Sequence, residues 1–196
     1  MNDSLLPKVE TNRIPDHNVS PLFLNRWSPR AFLEKEVEKT LLYSILEASR
    51  WAPSSSNEQP WRFIVAQSQE DREKFYPFIV SANREWCENA PVMIVLISKK
   101  ITIKGLPNGL HAFDTGTAWG FLALQASLKG LITHAMGGFD AIKARAILNV
   151  PEEYDLHAVV ALGYQGSKEI LSEKLQEREL PSSRRPLVES IIEGGF

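Results

Sequence analysis

The chain has 196 residues, 43% of them hydrophobic and 23% charged, a composition close to the average folded protein and far from a disordered one. Its 22 Lys and Arg against 24 Asp and Glu leave a formal net charge of -2, which excludes the basic footprint of a non-specific nucleic-acid binder. One cysteine, Cys87, rules out an internal disulfide framework, and no stretch reaches the ~18 consecutive apolar residues of a membrane span.

At ~150 residues per domain the length fits one domain. The polar, Pro-interrupted start lacks the apolar run of a signal peptide, so a cytoplasmic protein is expected, with no membrane or nucleic-acid partner. Residues 1–17 show no periodicity and read as an arm ahead of a domain spanning 18–196. Ser20-Pro21 reads as an N-cap followed by Pro at the first helical position, opening a short helix to Asn25. Val37, Leu41, Leu42, Ile45 and Leu46 recur at helical spacing and predict an amphipathic helix over 36–51. Pro53 ends it, and the serines behind it form a loop. A strand is expected at 62–66, a helix at 70–79, and a strand buried on both faces at 92–98.

Phe113 to Lys129 predicts a helix apolar on nearly every side. Ala112, Gly116 and Gly120 fall four apart on it, and Gly in a helix interior costs up to ~1 kcal/mol against Ala. Close approach of another helix, from this subunit or a second one, is the expected reason. Strands follow at 131–136 and 157–164 with a helix between them at 140–148. A charged helical stretch at 168–180 and a last element at 186–193 complete the chain. The connections from 157 onward break any regular βα repeat, which favours a helix-flanked α+β sheet over a doubly wound one.

Four segments could carry chemistry. Arg26-Trp27-Ser28-Pro29-Arg30 sets two forked guanidinium groups around a hydroxyl, a set suited to a phosphate or another anion, or else a solvated basic turn. In Ala52 to Trp61, Ser54, Ser55, Asn57 and Gln59 can both donate and accept, toward a polyol chain, a heteroaromatic edge or the loop's own backbone. Gly137 and Gly138, behind His134, let the backbone approach a flat ligand, though Asp140 could equally be an N-cap closing an ordinary turn. Arg184 and Arg185 form a second basic cluster that by itself reads as solvated charge. His134 by itself reads as a satisfied sheet histidine, and Cys87 as a small buried hydrophobe. No P-loop, dinucleotide fingerprint, nucleophile elbow or zinc motif occurs, so metal and covalent hydrolase chemistry are not expected.

Taken together and in order, these segments resemble the nitroreductase family of FMN-dependent oxidoreductases. The resemblance rests on the run from Arg26 to Phe32, the run from Ala52 to Phe63, His134 to Asp140, and Arg184 to Leu187. Between them, Asp114, Gly116, Leu122, Leu124 and Ala126 look like the family's central helix. It implies an α+β fold with a central, mostly antiparallel sheet flanked by helices, in an intertwined homodimer with two FMN sites. It implies that Arg26 and Arg30, with Ser28 between them and Trp27 among the cofactor-binding residues, hold the phosphate and ribityl end. Arg184 or Arg185 would supply a second phosphate-binding arginine. Pro53, Ser54, Ser55 and Asn57 would reach the flavin of the partner subunit, Gly137 and Gly138 would run along its ring, and Asn83 would bond its polar edge.

The activity implied is ping-pong transfer of hydride from NADH or NADPH through flavin N5 to a small conjugated acceptor such as a nitroaromatic or quinone. No side chain is assigned as catalytic. Within the same fold an enal or halogenated aromatic could be the acceptor, and a flavin-binding sensor or store is the alternative from another class. This chain departs from the family pattern at Trp86, near which many relatives carry a Lys or Arg. It also departs at Gly137, where some carry an acid, and in the short 99–110 connection, where larger relatives place a cover.

Overall fold

The computed structural model describes residues 4–196. A single helical turn, α1 (Pro7–Glu10), precedes α2 (Pro21–Asn25) and α3 (Lys39–Arg50). Ser20 Oγ accepts the Leu22 N–H, and Pro21 sits where a missing N–H costs no helical bond. The expected amphipathic helix is thus α3, with Leu42 and Ile45 in the core. Strand β1 (Trp61–Ala66) leads into α4 (Gln69–Phe75), α5 (Ser81–Cys87) and β2 (Val92–Lys99). Then come α6 (His111–Leu128), β3 (Ile132–Met136), α7 (Ala141–Leu148), β4 (Tyr154–Gly163) and α8 (Glu173–Gln176).

The four strands form one sheet in the order β1-β2-β4-β3, with every neighbouring pair antiparallel. That is the α+β sheet expected. The continuous apolar run of β2 follows from its central place, because successive side chains point to opposite faces and both faces are covered. Met93, Val95 and Ile97 pack with Phe32, Phe75, Phe78 and Trp86 on one side. Val92, Ile94 and Leu96 pack with Leu42 and Ile45 of α3 and with Leu122 and Ala126 of α6 on the other. Among the described residues no helix is long and apolar enough to cross a membrane.

Three expectations are corrected. The helix expected over 70–79 stops at Phe75 and tightens to a 3-10 turn at Tyr76–Phe78, since Pro77 has no N–H for an α-helical bond. The short α5 that follows carries Trp86 and Cys87 into the core, with only one buried stripe over two turns to announce it. The stretch 168–180 is no continuous helix: it breaks into a 3-10 turn at Lys168–Ile170 and the single turn of α8. In the segment read as an arm, residues 1–3 lie outside the described residues. Most of the rest is exposed, but Val9 is fully buried and Arg13 only 8% exposed.

A β-bulge joins the sheet to α6. Leu96 pairs with Ala158 and Ile97 with Leu156, which leaves His157 as the extra residue. The buried Ser98 hydroxyl is shared between His157 Nε2 at 2.5 Å and His111 Nδ1 at 2.6 Å, so it donates to one imidazole and accepts from the other. The first residue of α6 is thereby tied to the central strand pair.

Candidate functional site

The two basic segments, far apart in sequence, meet in space. Arg26, at the end of α2, reaches the Ser28 hydroxyl with Nη1 at 3.4 Å. Burial, and then the charge of Arg184, push the Arg26 guanidinium below its ordinary pKa. Arg184 is exposed, and its Nη1 is steadied by Ser182 Oγ at 3.1 Å and the Ser183 carbonyl at 2.9 Å. Arg185, beside it, makes no hydrogen bond or ion pair among the described residues, and both arginines line one cavity with Arg13. Trp27 is 8% exposed, so its ring belongs mainly to the packing beneath the arginines.

Arg30 does not join this cluster. Its guanidinium faces Glu179, 3.9 Å away, and lies 6.0 Å from the Trp86 ring centre. Glu179 is 1% exposed, and its Oε1 accepts the Arg30 and Ala31 N–H groups at 2.7 and 3.0 Å. Burial lowers the Arg30 pKa and the Glu179 charge opposes that effect. Removing one partner of such a buried pair leaves the other uncompensated. Glu179 therefore anchors the segment that carries Arg26 and Ser28, through the Arg30 and Ala31 N–H groups.

The glycine segment and Asn83 also come together. Asn83 Nδ2 donates to the Gly138 carbonyl at 3.3 Å, and the Val80 N–H donates to the same oxygen at 3.1 Å. A Cβ on Gly138 would fall 2.7 Å from Asn83 Nδ2 and 2.9 Å from Val80 Cγ2, so close packing of α5 requires glycine there. Gly137 differs: nothing lies within 4 Å of a Cβ placed on it, and its face of the backbone is open. Asp140 caps α7 by accepting the Lys143 N–H at 2.9 Å, so the cap and the open glycine coexist.

The serine loop is held in an uncommon conformation. Ser56, Asn57 and Gln59 have φ of 50°, 57° and 47°, a region few non-glycine residues enter. Asp114 of α6, 2% exposed, accepts the Ser55 N–H at 3.1 Å, and Ser54 Oγ accepts the Gln59 N–H at 3.0 Å. Ser55 and Asn57 remain exposed. The loop's bonds run to α6, to the Ile103 N–H, to Arg62 and within itself, and none of them goes to Arg26 or Arg184.

Buried side chains near these segments carry no nucleophilic chemistry. Burial pushes the Cys87 thiol up to about 12, consistent with a small core hydrophobe. His134 Nδ1 lies 3.1 Å from the Pro29 carbonyl, so it carries the hydrogen and donates, and the ring packs 4.5 Å from Trp86. Burial is the main cause of its pKa falling to about 4. Unfolded, it would titrate near 6.5, so between about pH 6.5 and about pH 4 the unfolded chain binds more protons and stability falls as pH falls. At ~1.4 kcal/mol per unit the loss across that window is up to about 3 kcal/mol. Urea unfolding across the window should show it, and His134→Gln should remove most of the slope. An equal slope in the variant would exclude His134 as the cause.

A helix-flanked antiparallel sheet with an arginine cluster at one end matches a known class of enzyme. The sequence model of the Nitroreductase family matches residues 24–85, which span the first basic segment, the serine loop and Asn83. The chain is 42% identical to a solved oxidoreductase described as containing FMN, with a TM-score of 0.90 and coverage of 94% of this chain and 96% of that one. It is 29% identical to an NADH dehydrogenase of Thermus thermophilus, over 86% of this chain and 92% of that protein. A nitroreductase family protein of Clostridium difficile shares 25% identity and a TM-score of 0.70, covering 89% and 97%. The chain belongs to the nitroreductase family.

Arg13, Glu179 and Asp114 were not among the expected site residues. Arg13 and Glu179 sit in stretches with no motif around them, and their roles depend on contacts across most of the chain. Asp114 was legible only as part of the central helix.

Proposed function

We propose that the protein is an FMN-dependent oxidoreductase that takes hydride from NADH or NADPH and reduces a small conjugated acceptor such as a nitroaromatic or quinone. The observation that carries this reading is the cluster of Arg13, Arg26 and Arg184. Burial and then the neighbouring positive charges lower the pKa of Arg13 and Arg26, and none of the three forms a salt bridge among the described residues. Repelling cations held together call for an anion, and a terminal phosphate is one that guanidinium groups bind well. The 42% identity to an oxidoreductase containing FMN supports the same cofactor.

The remaining residues fit that group. Arg26 and Arg184 would take the phosphate, with Ser28 as a neutral donor between phosphate and ribityl chain. The open backbone at Gly137 would lie along the ring, and Gly138 keeps that stretch flat by docking on Asn83. When bound, the flavin would supply the redox chemistry of hydride transfer between nicotinamide and acceptor. The protein's part is to position the ring and to keep backbone donors and arginines near its negative end.

The site is completed by a second copy of the chain. Pro53, Ser54, Ser55 and Asn57 lie in the loop behind α3 that Asp114 ties to α6, and none of them hydrogen-bonds Arg26 or Arg184 of their own chain. The face of α6 formed by Ala112, Gly116 and Gly120 is largely open, with nothing within 4 Å of a Cβ on either glycine. A homodimer in which each loop serves its neighbour's flavin accounts for both features.

The deciding experiment is anaerobic. Purified protein should be yellow, with about one FMN per chain. Addition of NADH or NADPH should bleach it, and a nitroaromatic or quinone should restore the colour. FAD or no flavin in the pure protein would overturn the cofactor assignment. A yellow protein that neither nicotinamide bleaches would be a binder and not a reductase.

A further inference from the structure

Arg13 lies in the segment before α2, outside every motif, yet it is 8% exposed and has more long-range bonds than any other arginine near the site. Its Nη1 donates to the Leu24 carbonyl at 2.7 Å and to the Arg26 carbonyl at 2.8 Å. Its Nε donates to the Ser182 carbonyl at 3.0 Å, across 169 positions of sequence. One guanidinium thus holds the backbone of Arg26 and the backbone two residues before Arg184.

We propose that Arg13 is the positioning residue of the phosphate site: it clamps the two segments that carry Arg26 and Arg184, so that both guanidinium groups converge on one anion. The proposal rests on the FMN reading above. Three carbonyl oxygens are answered by a single planar fork, a geometry a lysine ammonium reproduces only in part. Among the described residues no carboxylate pairs with Arg13, so its charge also stays available to the anion at short range. Without the clamp, the stretch at Ser182–Arg184 would be held only from its two sides, by Glu179 on the Arg30 and Ala31 N–H groups and by Asp16 on the Leu187 N–H, with no direct bond to Leu24 or Arg26. Arg26 and Arg184 would then have to be brought together against their own repulsion on each binding event.

The test compares two ligands that differ only in the phosphate. The full chain, freed of flavin, is titrated with FMN and with riboflavin by fluorescence quenching, as wild type, Arg13→Ala and Arg13→Lys. Arg13→Ala should weaken FMN about tenfold or more and leave riboflavin unchanged. Arg13→Lys should recover only part of the loss, because it returns the charge without the fork. Equal weakening of both flavins would show a general structural role, and no change in FMN affinity would show no role; either overturns the proposal. Full recovery in Arg13→Lys would also overturn it, since charge alone would then suffice. If Arg13→Ala does not fold, Arg13→Lys alone decides, by whether the FMN-to-riboflavin preference falls. Wild type that binds neither flavin would instead remove the FMN reading itself.

Discussion

Replacing Arg26 and Arg184 together with alanine should strip the protein of FMN and leave it folded. Neither side chain is part of the core: Arg184 is exposed, and the recorded side-chain bond of Arg26 is the one to Ser28. A charge-assisted hydrogen bond is worth ~1.5–3 kcal/mol, so each single change should weaken FMN by about tenfold or more. The two together should cost about 3 kcal/mol or more, at least about a hundredfold in Kd. The sum will fall short of strict additivity, because losing one guanidinium relieves the repulsion on the other. For the same reason the flavin-free double variant should be no less stable than wild type. Flavin content after gel filtration, with Kd from fluorescence quenching, measures the effect. A double variant that retains FMN as tightly as wild type would remove these arginines from the phosphate site.

Gly116→Leu should yield a folded monomer without flavin. Within one chain an added Cβ at Gly116 meets nothing within 4 Å, so the substitution has no intramolecular clash to make. Helix propensity alone would favour the change by up to ~1 kcal/mol. Any disruption must therefore come from a second molecule packed on that face, where overpacking costs ~1–3 kcal/mol or more. Light scattering reports the assembly and flavin absorbance the site. A monomer with its full complement of FMN would show that one chain builds the site by itself. A dimer that accepts leucine would place the interface elsewhere.

Much of the fold was legible before any coordinates. The apolar run of β2 could be read because a strand buried on both faces has no polar positions to interrupt it. The starts of α2 and α7 were legible in Ser20-Pro21 and Asp140, since capping is a local matter of one side chain and its next turn. What failed was local as well. Pro77 broke a helix whose apolar spacing continued past it, and the short α5 carried too few residues for a period to emerge.

Which residues had the right chemistry for an anion and a flat ring was settled by the sequence alone, because the ability to fork, donate or come close belongs to the residue type. Arg26 and Arg30, Gly137 and Gly138, and the serine loop were marked out in this way, Arg184 and Arg185 only by the family resemblance. Which of them act together was decided by the tertiary structure. Arg26 and Arg30 stand four apart and look equivalent, yet buried Glu179 lies 3.9 Å from the Arg30 guanidinium, while Arg26 has no ion pair among the described residues. Arg184 comes near Arg26, and Arg13 gains its place, only because the segments near the two ends of the chain meet. Adjacent arginines in a sequence carry the same charge, and only the partner each meets after folding decides whether that charge is spent inside the protein or left for a ligand.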